Sequence, residues 1–202
     1  MTDSRTASST SVTAPTRPVR VVDGVELPIA GTWTIDPGHT EVGFVGRHFM
    51  LTKVRGRFSD VTGTIQVGER PEDTIVDVTI GTASVSSGDH TRDDHLRSAD
   101  LFDVDNHPTA SFRSTATQWG GRTGSLTGDL TIKGITRPVT LQVEYLGQVR
   151  DPWDGERIVF SASGRVSRDD WGVSWNMPLA SGGVLVSREI DLALELEAIL
   201  QT

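Results

Sequence analysis

The sequence predicts an all-β fold: a single closed antiparallel β-barrel of about eight strands, with one short helix after the fourth or fifth strand and a second short helical turn. Three observations predict it. From Gly31 onward the chain is a succession of short apolar-alternating runs punctuated by Gly, Pro, Asn and Asp turns. The alternation has period two, one face apolar and the other polar, as antiparallel strands require. Only two segments have helical character, too few to cover so many apolar faces. Closing the sheet on itself hides those faces and removes its edges.

The elements follow in order. Residues 1–18 are Ser, Thr, Ala, Pro and Arg with hardly an aliphatic side chain, so they are expected to be a disordered tail. Residues 19–30 form an N-terminal arm, in which Asp23-Gly24 between short apolar runs predicts a hairpin. The barrel domain is assigned to residues 31–202. Its predicted strands cover residues 32–35, 42–50, 54–67, 74–85, 109–119, 125–133, 139–149, 157–168 and 185–199, with Gly56 and Gly63 as bulge or bend sites. Alternation is sharpest late in the chain. Val139, Leu141, Val143 and Tyr145 share one face, and Ile190, Leu192, Leu194 and Leu196 oppose Asp191, Ala193, Glu195 and Glu197. Residues 89–99 read as a helix, acidic in the first turn and with Arg97 near the end. Residues 169–175 read as a short helical turn.

Composition excludes several functions. The net charge of −8 disfavours nucleic acid and anionic membrane surfaces as partners of the chain as a whole. With no cysteine there are no disulfides, no thiolate catalysis and no cysteine-held metal. No apolar run approaches the ~18 residues of an integral membrane segment. The polar N-terminus lacks the apolar core of a secretory signal, so a cytoplasmic protein is expected. No cofactor motif is found. Ser174 and Ser181 lack the Gly-x-Ser-x-Gly elbow, and Lys133 lacks the glycine spacing of a phosphate loop.

An eight-stranded barrel is wide enough for its own side chains or for one ligand, and alternation alone leaves both open. Inward candidates are Phe44, Phe49, Phe58, Phe112, Tyr145 and Phe160. An aliphatic and aromatic interior would favour a long hydrocarbon, at ~0.8 kcal/mol per buried methylene, with its polar head at a barrel mouth.

Five blocks carry a family resemblance. They are residues 32–48 (TWTIDPGHTEVGFVGRH), 54–58 (VRGRF), 91–108 with RDDHLRS, DLFD and His107-Pro108, 128–139 (GDLTIKGITRPV) and 168–173 (RDDWGV). In this order they resemble the YceI-like, or polyisoprenoid-binding, family. The resemblance implies a lipocalin-like barrel that carries or stores a polyprenyl, quinone-like or acyl chain, without a cofactor, and that pairs as a homodimer. Many relatives are periplasmic with leaders, whereas this chain has a polar tail. The ligand-binding candidates are Asp36, His39, Phe44, His48, Phe58, Arg92, His95, Phe112, Tyr145, Phe160 and Trp171.

Each polar candidate has a structural alternative. His39 and His48 are nine positions apart, so an unbroken strand would point them to opposite faces: one could meet a head group, or each could be a hydrogen-bonded structural histidine. His90 and His95 are five apart, off the i, i+4 spacing of a helical metal pair. Arg92 and Arg97 could fasten the helix to the rim or pair with an anionic head. Trp153, Trp171 and Trp175 could lid a cavity or anchor their loops. A second function is also open: an enzyme that isomerises or cyclises a lipid-like or polyketide-like substrate by positioning and acid–base catalysis. It requires two titratable groups converging inside the cavity rather than on its rim.

Overall fold

The structure, a computed structural model, describes residues 20–180 and 182–201; the predicted tail at 1–18, with Val19, lies outside the described residues. β1 (Arg20–Val22) and β2 (Val25–Leu27) form the predicted hairpin. Its turn residues Asp23 and Gly24 take φ of 49° and 79°, the positive pair that a tight hairpin turn demands. The barrel strands are β3 (Gly31–Ile35), β4 (Glu41–His48), β5 (Thr52–Phe58), β6 (Val61–Val67), β7 (Ile75–Gly81), β8 (Thr109–Gly120), β9 (Thr123–Ile132), β10 (Ile135–Arg150), β11 (Glu156–Ser167) and β12 (Glu189–Leu200). The one helix among the described residues, α1 (His90–Arg97), follows β7, the fifth strand of that sheet.

All pairings are antiparallel, and the sheet closes where β12 pairs with β11, from Arg157↔Ile199 to Ser167↔Glu189. β12 also pairs with β3 through Ala198–Leu200 and with β4 through residues 191–195. β3 and β4 are thus two halves of one broken strand. β6 flanks β3 and β5 flanks β4, so β5 and β6 make a second broken strand, and the closed barrel has eight strands.

Both breaks have local causes. Pro37 opens a 3-10 turn over Pro37–His39, and Asp36 caps it by accepting from the Gly38 N–H at 3.0 Å. The second break corrects the expected single strand over 54–67. The Ser84 hydroxyl accepts from the N–H groups of Ser59 and Asp60 at 3.2 and 3.1 Å, drawing those residues out of the ladder. Gly63, an expected bulge or bend site, takes φ +153° but stays in register with Val78, and a Cβ there would stand 2.2 Å from the Asp77 carbonyl oxygen. Gly56 likewise stays in the ladder. It pairs with Phe44, and any Cβ there would stand 2.3 Å from the Phe44 ring, so the glycine lets that ring lie across the strand.

The barrel interior is solid at one end. Trp33, Ile65, Tyr145, Ile158 and Phe160 fill it, and Leu27 of the hairpin packs beneath them. The opposite end is bounded by the β4–β5 turn, by α1 and its flanks, and by the long 168–188 connection. Asp89 caps α1 by accepting from the Arg92 N–H at 2.9 Å. Buried Asp93 accepts from the Ser87 N–H and hydroxyl and from the Ser86 hydroxyl. Arg97 donates to the carbonyls of Ala83 and Val85, so it fastens the helix to the rim. The predicted helical turn at 169–175 is a shorter 3-10 turn, Arg168–Trp171, ended by Gly172 at φ +68°.

Candidate ligand cavity and its mouth

Above the solid end lies a cavity of about 840 Å³. That is within the ~300–1,000 Å³ of ordinary small-molecule sites. Its walls are the faces that alternation picked out. Ile190, Leu192, Leu194 and Leu196 of β12 line it. So do Val76, Val78 and Ile80 of β7, and Val139, Leu141 and Val143 of β10. Ile65 and Phe160 belong both to the lining and to the packed end, and so form the floor. The question of a filled or hollow barrel therefore resolves by level: packed at the base, hollow above.

The mouth gathers polar groups from three elements. Gly46, Arg47 and His48 come from the end of β4; Asp89, Arg92 and His95 come from α1 and its cap. Arg168, Trp175, Leu185 and Val186 come from the 168–188 connection, tied to β4 by the His48↔Val186 bridge.

Eight predicted site residues line this cavity: Phe44, His48, Phe58, Arg92, His95, Phe112, Phe160 and Trp171. Phe44 and Phe58 meet at 5.7 Å between ring centroids, and Phe58 meets Phe102 edge-on at 5.3 Å. Arg92 donates through Nε to the Ser87 hydroxyl at 2.7 Å and through Nη2 to the Ser87 carbonyl at 3.0 Å. His95 Nε2 lies 3.2 Å from Asp100 Oδ2, and its ring stands edge-on to Trp175 at 4.3 Å. Trp171 is buried and donates from Nε1 to the Leu130 carbonyl at 3.0 Å, anchoring its loop while presenting a face to the cavity. Trp153 is 83% exposed in the turn between β10 and β11, away from the mouth.

Asp36, His39 and Tyr145 are placed elsewhere. Tyr145 has the expected inward direction but sits below the floor, fully buried against Phe160 at 5.4 Å. Beyond it β10 shifts register before Gly147, which ends the simple alternation. Asp36 and His39 stand at the β3–β4 break on the outer wall. His39 Nδ1 is 3.0 Å from Asp36 Oδ2, and Asp36 accepts from Arg157 Nη1 at 2.7 Å. The broken strand, rather than an odd spacing, separates His39 from His48.

Arg157 is the hub of that outer cluster. Its guanidinium also reaches Glu197 at 2.6 Å and Asp151 at 2.7 Å. Asp36, His39 and Glu197 lie close enough to hold a cation, but Arg157 already supplies the positive charge there. Its hydrogen bonds hold the Asp36 and Asp151 carboxyls below their ordinary range, and its own pKa is raised in return. Depressed carboxylate pKa values contribute stability that is complete above the unfolded value near pH ~4 and is lost as pH falls through the folded one. In Arg157→Gln the carboxylates face one another uncompensated, so their pKa values rise and stability is lost with rising pH. The variant should melt roughly 5 °C lower at neutral pH, with the gap closing toward pH ~4. Melting curves across that range check it; a gap that stays constant would discount the cluster.

Several mouth residues escaped the candidate set, Arg47, Asp89, Arg168 and Trp175 among them, and Arg168 is the most deeply buried of these four. Arg168 is buried at 8% exposure and lines the cavity. Its Nε donates to the Ser187 carbonyl at 3.0 Å and its Nη1 to the Val173 carbonyl. Among the described residues its Nη2 is buried with no partner, and burial pushes its pKa down. A signal existed. Phe160, Ala162, Gly164 and Val166 occupy the inward register of β11, and Arg168 is the next position in that series.

The described residues therefore form a closed-bottomed apolar barrel with a cationic, partly aromatic mouth. The profile of the YceI-like domain matches residues 33–198. Protein YceI of Shigella flexneri is 36% identical over 176 residues, covering 86% of this chain and 89% of that protein. Burkholderia cenocepacia BcnA superposes with a TM-score of 0.70 at 24% identity, over 81% of this chain and 98% of that one. A polyisoprenoid binding domain from Saccharophagus degradans, implicated in plant cell wall breakdown, superposes with a TM-score of 0.62 at 16% identity, covering 86% and 100%. With the profile spanning nearly the whole barrel and the sequence relative matched along most of its length, the chain belongs to the YceI-like family.

Proposed function

We propose that this protein binds one long isoprenoid or other lipid chain inside the barrel, as a carrier or storage protein, with an acceptor-rich head group at the mouth. The observation that carries this is the cavity: about 840 Å³, aliphatic and aromatic along its walls apart from Thr74, Thr117 and Ser125, closed below, and charged only where it opens. Such walls reward hydrocarbon at ~0.8 kcal/mol per methylene without requiring polar complementarity. The name of the Saccharophagus degradans domain, with the same fold, supports an isoprenoid as the chain. The unpartnered Nη2 of Arg168 supports a head rich in oxygen acceptors, such as a diphosphate, a carboxylate or a quinone carbonyl. Acid–base chemistry on the bound chain is less well supported, because the ionisable groups of the lining stand at its rim while the walls are apolar.

Native mass spectrometry of protein purified without detergent, followed by lipid extraction, tests the reading. A bound lipid of discrete mass is expected, along with saturable uptake of a fluorescent prenyl or acyl probe. Leu192→Trp bulks out the wall beside its cross-strand neighbour Phe44 and should weaken that uptake about tenfold by excluding some two methylenes. Absence of bound lipid together with no probe uptake would overturn the proposal.

A further inference from the structure

The β4–β5 hairpin at the mouth is built unlike the other turns. Its tip is Phe49-Met50-Leu51, all exposed, Leu51 at 79%. Phe49 and Met50 take φ of 53° and 61°, the left-handed region that hairpins normally assign to Asn-Gly. Two bulky apolar residues are thus held in strained backbone and turned to solvent, the pattern expected where strain serves a purpose. The tip abuts the opening. The Phe49 ring lies 3.9 Å from that of His48, and the Phe49 N–H donates to the carbonyl of Leu185, both mouth residues. Exposed Met177 continues the apolar surface, since its carbonyl accepts from the Leu185 N–H.

Behind the tip the hairpin is basic. Residues 42–59 contain Arg47, Lys53, Arg55 and Arg57 and no Asp or Glu, in a chain of net charge −8. All four are exposed. Arg47 stands directly across from Lys53, and Arg55 and Arg57 follow along the outer face. Like charges in that position repel. Two acids beside the hairpin are engaged, Glu41 with Arg57 at 3.0 Å and Asp191 with Arg165 at 2.6 Å, and the β12 register leaves Glu189 as the acid beside Arg47. Arg47, Lys53 and Arg55 have no ion pair among the described residues.

We infer that this hairpin docks the barrel mouth on an anionic lipid surface, the apolar tip entering the acyl boundary and the basic face lying among the headgroups. Charge complementarity selects this partner: an apolar tip alone would fit any hydrophobic surface, but uncompensated cations immediately behind it match anionic headgroups. Local charge overrides the unfavourable net charge because screening confines the interaction to about a Debye length. The barrel would then open toward the phase in which a long-chain lipid resides. That purpose rests on the proposed function; the docking itself rests on the hairpin alone.

Vesicle co-sedimentation of the full chain tests it. The chain should partition onto phosphatidylcholine vesicles containing about one third phosphatidylglycerol, should do so weakly onto phosphatidylcholine alone, and should be released as salt rises toward about 0.5 M. Lys53→Glu/Arg55→Glu should reduce partitioning at least about 30-fold while leaving probe uptake in free solution unchanged. Phe49→Asn/Met50→Gly supplies the residues the turn geometry prefers, so it should raise the melting temperature yet weaken vesicle binding. Equal binding to neutral and anionic vesicles, indifference to the charge reversal, or a tip buried in a dimer by light scattering without vesicle binding would each overturn the inference. If probe uptake fails while vesicle binding persists, the proposed function is at fault and the docking stands.

Discussion

Replacing Trp33 with alanine is expected to lower the unfolding free energy by about 3–5 kcal/mol. Trp33 is the largest fully buried side chain of the packed base, and its indole N–H donates to the Ile29 carbonyl at 3.3 Å. It stands where the hairpin, β3 and the floor residues Ile65 and Phe160 converge. Removal deletes an aromatic payload and leaves a void that the surrounding strands can close only partly. For a domain of this size the loss corresponds to a melting temperature roughly 6–20 °C lower. Denaturant titration should show the midpoint moving with an unchanged slope, as befits a loss of stability without loss of compactness. The void lies under the floor, so the same variant should accept acyl probes longer than those the parent takes. A melting shift under about 2 °C would mean that the base is plastic and that the floor is not a fixed stop.

Arg168→Met should produce the largest effect on binding selectivity. Methionine keeps the unbranched stem and removes the buried cation. A charge-assisted hydrogen bond contributes about 1.5–3 kcal/mol, so a prenyl or acyl probe with a phosphate or carboxylate head should bind roughly 10- to 150-fold more weakly. A probe of equal chain length without a polar head should bind as well as before, since it never engaged Nη2. Little net change in thermal stability is expected. The bonds to Ser187 and Val173 are lost, but so is the cost of holding a guanidinium at 8% exposure without a carboxylate partner. Titration calorimetry with the paired probes decides it; equal weakening of both would show that Arg168 only shapes the 168–188 connection.

The parts of the fold that depend on spacing along one strand were legible. The apolar series on β12 and β10, the Asp23-Gly24 hairpin and the Asp89-capped helix all express their geometry locally. The break at Ser59–Asp60 was not legible, because the hydroxyl that causes it belongs to Ser84, more than twenty positions away. The same limit misdirected the site reading at Asp36 and His39. Their polar character was plain, but the Arg157 that holds Asp36 on the outer wall is 121 residues distant in the chain. Tyr145 shows a third kind of limit. Alternation assigns a side chain to the interior but not to a height within it, and the difference between floor and wall is set by how many large residues converge at each level. Arg168 was visible as a position in register; what no local pattern expresses is that one of its nitrogens finds no acceptor.

The place of β12 in the sheet has a consequence for how the molecule comes into being. Apart from the broken pair at β3–β6, the neighbours from β4 to β11 are consecutive in the chain, so each can zip onto the one before, through a short turn everywhere except between β7 and β8, where residues 82–108 with α1 intervene. β12 alone joins the two ends of the meander, holding β11 on one side and β3 and β4 on the other. Until that last barrel strand has left the ribosome and found its place, the preceding strands can form only an open, curved sheet with its apolar face in water. The container is therefore assembled in a single late step, and the nascent chain has an interval in which it is most exposed to aggregation and to chaperones.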